Sequence, residues 1–359
     1  MGNKWEFDKE YLEELIKKGN ELLNSNKISR AKKKLIQEDI ETFSRFLCGY
    51  FSLYRETDYN EIPLNILKRQ VLKQMKKYYK ILGPKLIDWT ISLQKEGIFG
   101  YQENEEKTIL TMEEQVPLTL ENYNNNSKYL LYGAQSLLST DPISQIQVVE
   151  IPDADSYCYS SDITYFPFMV VNPNEAPSSL NHELEHGIED VIGYSHPELF
   201  RELGPMVMES LFLDVLASRQ GFLYSGDFQD RFELMTNCLE DLAEYFEVMK
   251  EFAKKDFIVS MDEFKNTFFE KDIVSPMNFE EYLKDEILDA DGITKGMKYL
   301  YSFLKAIEIR EKSKISKDDV LNLFDGYIYD KRFNFNPQYD SFKVYKNYVE
   351  EMNKRIRKN

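Results

Sequence analysis

The segment His182-Glu183-Leu184-Glu185-His186, preceded by Asn174-Glu175-Ala176-Pro177-Ser178-Ser179, is the stretch on which the reading of this chain turns. Side chains four positions apart lie one above the other on a single helical face, so His182 and His186 can offer imidazole nitrogens to one ion. Glu183 then stands where it can reach a water held by that ion. This is the H-E-x-x-H arrangement, and its chemistry is metal-assisted hydrolysis with the glutamate as general base. The upstream residues are turn and helix-start types, and the β-branched and aromatic run before them reads as a strand. All three histidines of the chain, His182, His186 and His196, fall within fifteen residues.

Working outward from that helix, residues 6 to 94 read as long amphipathic helices. Apolar residues recur at helical spacing in Tyr11, Leu12, Leu15 and Ile16, and again in Phe43, Phe46, Leu47 and Tyr50. Gly83-Pro84 punctuates the array. Between Gly97 and Val171 the period shortens, and Lys107–Thr111, Ile146–Ile151 and Thr164–Val171 are the expected strands of a small sheet. Helical signals resume near Ser178 and continue, with breaks near Gly193, Gly221, Pro276 and Gly292, to the basic run ending at Arg357. There is no repeat of fixed period and no low-complexity linker. The expected fold class is mainly α, with a small β-sheet beside the histidine helix. A single domain over 1–359 is expected, comprising a helical lobe at 1–96, a mixed segment with the strands at 97–172, and a zinc-site and helical lobe at 173–359.

Composition excludes several function classes. With 62 acidic against 45 basic residues the formal charge is −17. Such a chain repels a phosphate backbone and lacks the counterion-release term that drives nucleic-acid binding, so no nucleic-acid partner is expected. No run approaches the length of an apolar membrane span, and Met1–Glu6 lacks the apolar centre of a secretory signal. Glu6 also breaks the myristoylation pattern. Cys48, Cys158 and Cys238 are isolated from one another, which suits small buried hydrophobes in a reducing compartment. A cytoplasmic location with no membrane partner is expected.

A catalytic zinc generally takes three protein ligands and keeps one position open. The metzincin third histidine would fall at 192, which is Ile192. His196, followed by Pro197, arrives too late for that motif. A glutamate from the next helix is the better third ligand. Proline suits the first turn of a helix, so Pro205 puts Glu209 about one turn inside, on an apolar helix through Met206, Val207, Leu211 and Phe212. Glu209 is therefore the expected ligand, and Glu202, in the preceding loop, is the alternative. Asp214 is a weaker candidate for orienting a ligand histidine. A di-iron site needs two E-x-x-H motifs and only Glu183–His186 supplies one. Cysteine or serine nucleophiles would leave Glu183 and the paired histidines unexplained.

Over about 156–218 the sequence resembles the oligoendopeptidase F and thimet oligopeptidase family of zinc peptidases. The likeness is carried by Ser156-Tyr157-Cys158, by Tyr165–Asn172, by the histidine helix, and by Pro205-Met206-Val207-Met208-Glu209-Ser210-Leu211 in the place of the family's third-ligand helix. An alignment starting at Glu202-Leu203-Gly204 places Glu209 as a later acidic residue. Gly292–Tyr301 is similar to the Gly- and Tyr-containing segment that faces zinc in relatives. Glu185 departs from the family's usual glycine, and no histidine follows His196. The resemblance implies a zincin-like helical peptidase fold and one zinc ion. It also implies an oligopeptide substrate held along the strand Tyr165–Val171, and an oxyanion donor in Tyr301 or Tyr299. The expected function is a zinc-dependent endopeptidase for unfolded oligopeptides, with His182, His186 and Glu209 on the metal and Glu183 as base. The alternative is a peptide-binding protein on the same scaffold.

Overall fold

The computed structural model describes residues 9–25, 27–51, 62–96, 110–138, 148–150, 155–164, 167–172, 175, 177–191, 201–220, 242–271, 273–288, 296–300, 302, 303 and 306. Within them the chain is mainly helical with one small sheet, as its periodicity predicts. The N-terminal helices are α1 (Lys9–Leu23) and α2 (Arg30–Leu47). Helix α2 starts where the Ser29 hydroxyl accepts from the Lys32 amide at 3.2 Å, satisfying one of the donors a helix start leaves open. Helix α3 (Leu64–Glu96) kinks at Gly83, whose φ of 76° and ψ of 153° are non-helical. Pro84 lacks the amide hydrogen and disfavours helical geometry in the residue before it, and glycine alone takes that positive φ without strain.

Helices α4 (Met112–Asn126) and α5 (Lys128–Leu138) follow, then the three strands β1 (Val148–Glu150), β2 (Tyr157–Ser160) and β3 (Pro167–Val171). Of the stretches expected as strands, Thr164–Val171 contains β3 and Ile146–Ile151 contains β1. Lys107–Thr111 differs. Residues 107–109 lie outside the described set, and Leu110–Thr111 lead into α4, where the Glu114 carboxylate accepts from the Thr111 amide at 2.9 Å. That local capping arrangement sets a helix start in place of a strand end. The remaining helices are α6 (Ser179–Val191), α7 (Leu203–Gln220), α8 (242–253), α9 (Met261–Glu270) and α10 (Phe279–Leu288), with a further helical stretch at 296–300. Among the described residues, no helix is long and apolar enough to cross a membrane.

The sheet order is β1-β3-β2, with β3 parallel to β1 and antiparallel to β2. All five residues of β3 are buried, because the sheet is covered on both faces. Phe168 and Val170 join α1 and α2 in a cluster with Leu12, Ile36, Ile40, Phe43 and Phe46. Met169 and Val171 point the other way, into the main core shared by α3 to α10. An alternation of period two thus divides one strand between two cores. Helix α6 lies on the second face. Close approach there depends on Gly187, where a Cβ would stand 3.1 Å from Leu137, 3.3 Å from Met169 and 3.4 Å from Pro167.

Candidate metal centre

Helix α6 is buried along almost its whole length, polar residues included. It is wedged between β2 and β3, α5 and α7, so its polar side chains must find partners inside the protein. His182 and His186 project from one face with ring centroids 5.0 Å apart and rings 77° from parallel. Both Nε2 atoms converge on one atom. Glu202 Oε2 lies 3.2 Å from His182 Nε2 and 3.1 Å from His186 Nε2. The outer nitrogen of His182 is engaged on its far side, where Nδ1 lies 3.2 Å from Glu209 Oε2. The second oxygen of Glu209 accepts from the Ser178 hydroxyl at 3.2 Å, at the threshold of α6.

Glu202 immediately precedes α7, and its carbonyl accepts from the Met206 amide at 3.1 Å in the first bond of that helix. It is therefore anchored as firmly as a residue within the helix. Pro205 falls in the first turn of α7 as expected, but the helix begins at Leu203. Both glutamates are thus tied to rigid backbone and seven residues apart in sequence, and they flank His182 from opposite sides.

Burial is the largest single influence at each of these groups, and the neighbouring partners reverse its direction at His182, His186 and Glu202. Burial alone would depress a histidine, yet the bonds to Glu202 and Glu209 outweigh it and raise His182 to about 10. His186 is also raised, with Glu202 overcoming its burial. Burial would lift the Glu202 carboxyl, but the two imidazoles hold it well below the usual range. Glu183, beside His182 and buried, is pushed up by desolvation against the opposing pull of both histidines. A raised carboxyl near reacting groups is the usual condition of a general acid–base residue. Glu185 turns away to a different partner, the Tyr123 hydroxyl donating to its Oε2 at 3.0 Å.

Zinc bonds of about 2.0–2.2 Å to nitrogen and oxygen in a tetrahedron separate the donor atoms by about 3.3–3.6 Å. The 3.1 and 3.2 Å spacings of Glu202 Oε2 from the two Nε2 atoms come within a few tenths of that edge. His182, His186 and Glu202 form a group whose donor atoms all lie within 4.8 Å of one another. The donor set, two imidazoles and a carboxylate, fits a zinc ion. Glu209, expected as the third ligand, sits at the other nitrogen of His182, the position from which a carboxylate fixes a ligand histidine's tautomer and ring direction. The signal that distinguishes the two is depth along α7: Glu209 lies seven residues, about two turns, beyond Glu202 and meets His182 at Nδ1.

Of the two expected oxyanion donors, Tyr299 stacks on His182, with centroids 6.4 Å apart and an interplanar angle of 4°. Tyr301, His196 and the first part of Gly292–Tyr301 lie outside the described residues. The peptide-binding strand is corrected. Strand β3 is the middle strand and is paired on both sides at Met169 and Val170, so the expected run offers no free edge at those residues, while Tyr165 and Phe166 lie outside the described residues. The edge beside α6 belongs to β2. Its Tyr157 and Tyr159 pack into the α1–α2 cluster, whereas Cys158 packs toward the main core. The Cys158 thiol is raised first by burial and next by the Glu183 charge.

No protein-family model matches the chain, and no curated protein matches it in sequence. Two solved structures are similar to it. One is a proposed peptidase from Chlamydophila abortus, with 12% identity and a TM-score of 0.45 over 95% of this chain and 61% of that one. The other is a proposed oligoendopeptidase F from Bacillus anthracis, with 13% identity and a TM-score of 0.40 over 90% and 69%. The chain spans less than two thirds of the length of the first.

Proposed function

We propose that this protein is a zinc-dependent peptidase of the oligoendopeptidase kind, holding one zinc with His182, His186 and Glu202. The observation that carries this reading is the convergence of two Nε2 atoms on a single glutamate oxygen at 3.1 and 3.2 Å, on a buried helix whose next residue after His182 is a carboxylate. Zinc bound there would supply a Lewis acid and a water acidic enough to attack at neutral pH. Glu183 takes the proton from the attacking water and returns it to the leaving amine, a role favoured by its raised carboxyl. Glu209 holds the Nδ1 side of His182 and so presents Nε2 to the metal. Tyr299, whose ring lies against His182, is the candidate among the described residues to donate to the tetrahedral oxyanion, the role expected first of Tyr301.

The substrate is an extended oligopeptide laid along β2. A sheet edge pairs only with backbone whose own hydrogen-bonding groups are free, which selects unfolded chains. The test joins metal analysis to cleavage of a peptide library. Wild type should carry one zinc and cut. Glu183→Gln keeps the size of the side chain but not the proton acceptor, so it should retain zinc and lose at least about a hundredfold in hydrolysis. Unchanged hydrolysis by a zinc-replete Glu183→Gln variant would remove the mechanism. Tight peptide binding without hydrolysis by wild type would replace it with a binding protein.

A further inference from the structure

The mechanism leaves unused a polar network in the driest part of the protein, where α4, α6 and α7 meet. Asn122, Thr119 and Asn181 have no solvent exposure at all. The side-chain amide of Asn122, on α4, donates one hydrogen to Asn181 Oδ1 on α6 at 3.0 Å and the other to the Met208 carbonyl on α7 at 2.9 Å. Its own oxygen accepts from Asn126 at 3.0 Å. The Asn181 amide in turn donates to Thr119 Oγ1 at 3.0 Å, and Tyr123, next to Asn122, reaches the Asn181 carbonyl at 3.3 Å. One side chain therefore bridges two helices, and it grips each at a particular residue. Asn181 immediately precedes His182, and Met208 immediately precedes Glu209.

Apolar side chains of similar volume would fill this space with comparable or better stability, because buried polar groups contribute little net once their desolvation is counted. What a two-pronged amide adds is register. It defines the axial and rotational setting of α6 against α7, which sliding apolar faces leave loose. That setting decides whether Glu209 meets His182 Nδ1 and whether Glu202 meets both Nε2 atoms.

We infer that Asn122 is a positioning residue of the zinc site: by donating to Asn181 and to Met208 it locks the histidine helix to the glutamate helix at the separation that metal binding needs. The inference rests on the site reading above. Asn122 touches neither metal nor substrate and acts through the Asn181 side chain on α6 and the Met208 main chain on α7.

The test compares Asn122→Ala and Asn122→Asp, which lack the bridging donors, with Phe268→Leu, a cavity variant in the aromatic cluster of α9 and α10. Thermal melts of the full chain match the variants for lost stability. Zinc affinity is measured by competition with a chromophoric chelator, and site geometry from the visible bands of the cobalt-substituted protein. The Asn122 variants should lose about 10- to 100-fold in zinc affinity, the range of outer-shell partners, and shift the cobalt bands. Phe268→Leu at matched stability should do neither. Unchanged affinity and bands in Asn122→Ala, or an equal loss in Phe268→Leu, would overturn the proposal while leaving the zinc site standing. If wild type binds no zinc, the site reading fails by itself, and the metal-free His182 Cε1–H resonance then decides. It should move in Asn122→Ala and hold in Phe268→Leu, and an unmoved signal overturns the role of Asn122. Should both Asn122 variants fail to fold, Thr119→Val, which removes only the acceptor of Asn181, must lower zinc affinity in the same direction, and no change would overturn the proposal too.

Discussion

Replacing Glu202 with Gln separates the two glutamates that the sequence offered as third ligand. Glu202 Oε2 is 3.2 and 3.1 Å from the two Nε2 atoms, so on the proposed reading it is the third ligand. Apparent zinc-binding free energies of about 10–16 kcal/mol, shared among four ligands, give about 2.5–4 kcal/mol for each. At about 1.4 kcal/mol per decade, losing one ligand weakens zinc by two to three orders of magnitude. The glutamine carbonyl still offers a weak neutral donor, which sets the expected loss near the lower end, about a hundredfold. Glu209→Gln acts differently. Its amide oxygen can still accept from His182 Nδ1, so the loss should be nearer ten of the about 10- to 100-fold range for outer-shell partners. Both variants are titrated with zinc against a chromophoric competitor at one fixed pH, with far-UV circular dichroism confirming the fold. A greater loss for Glu209→Gln than for Glu202→Gln would return Glu209 to the metal and refute the geometric argument.

Tyr299→Phe keeps the ring on His182 and removes the hydroxyl; kcat for peptide hydrolysis should fall by about 10²–10³ with zinc content intact, and an unchanged kcat would take the oxyanion role from Tyr299. Gly187→Val forces a branched side chain against Leu137, Met169 and Pro167, so it should cost about 1–3 kcal/mol in urea denaturation, and a neutral result would mean that α6 does not rest closely on the sheet. Asp39 lies under β2, accepting from Tyr159, Ser161 and the Asp162 amide, and burial raises its carboxyl above the ordinary value of 3.8. The folded state thus binds this proton more tightly than the unfolded chain, so the group's contribution is fully present below 3.8 and is lost as pH rises through the raised value. Asp39→Asn abolishes that dependence, and its stability relative to wild type should improve between pH 4 and neutrality; a relative decline over that range in urea melts would contradict the sign.

The pairing of His182 with His186 was legible along the chain because the helix repeat places positions four apart on one face without help from anything else. His182, Glu183 and His186 needed only a helix, and the turn residues from Asn174 to Ser179 marked where it begins. The helical N-terminal region and the small sheet were equally legible, since periods of 3.6 and 2 are local properties. The same local signals misled at Thr111, where β-branched neighbours suggested a strand but the Glu114 carboxylate caps a helix.

What lay beyond the sequence depended on contacts between distant elements. Whether β3 or β2 carries the free edge is a matter of which strands flank which, and no alternation within Pro167–Val171 encodes its two neighbours. Glu202 and Glu209 are the same residue type on one helix start, and the difference between them is the distance from each carboxylate to a histidine on another helix. Asn122 gives no motif at all. Its part appears only when α4, α6 and α7 close around it, because hydrogen bonds between residues 59 and 86 positions apart in sequence exist only after the chain has packed. Local physics set the histidine pair, and the angle and depth at which α7 meets α6 decided which carboxylate lies against both Nε2 atoms.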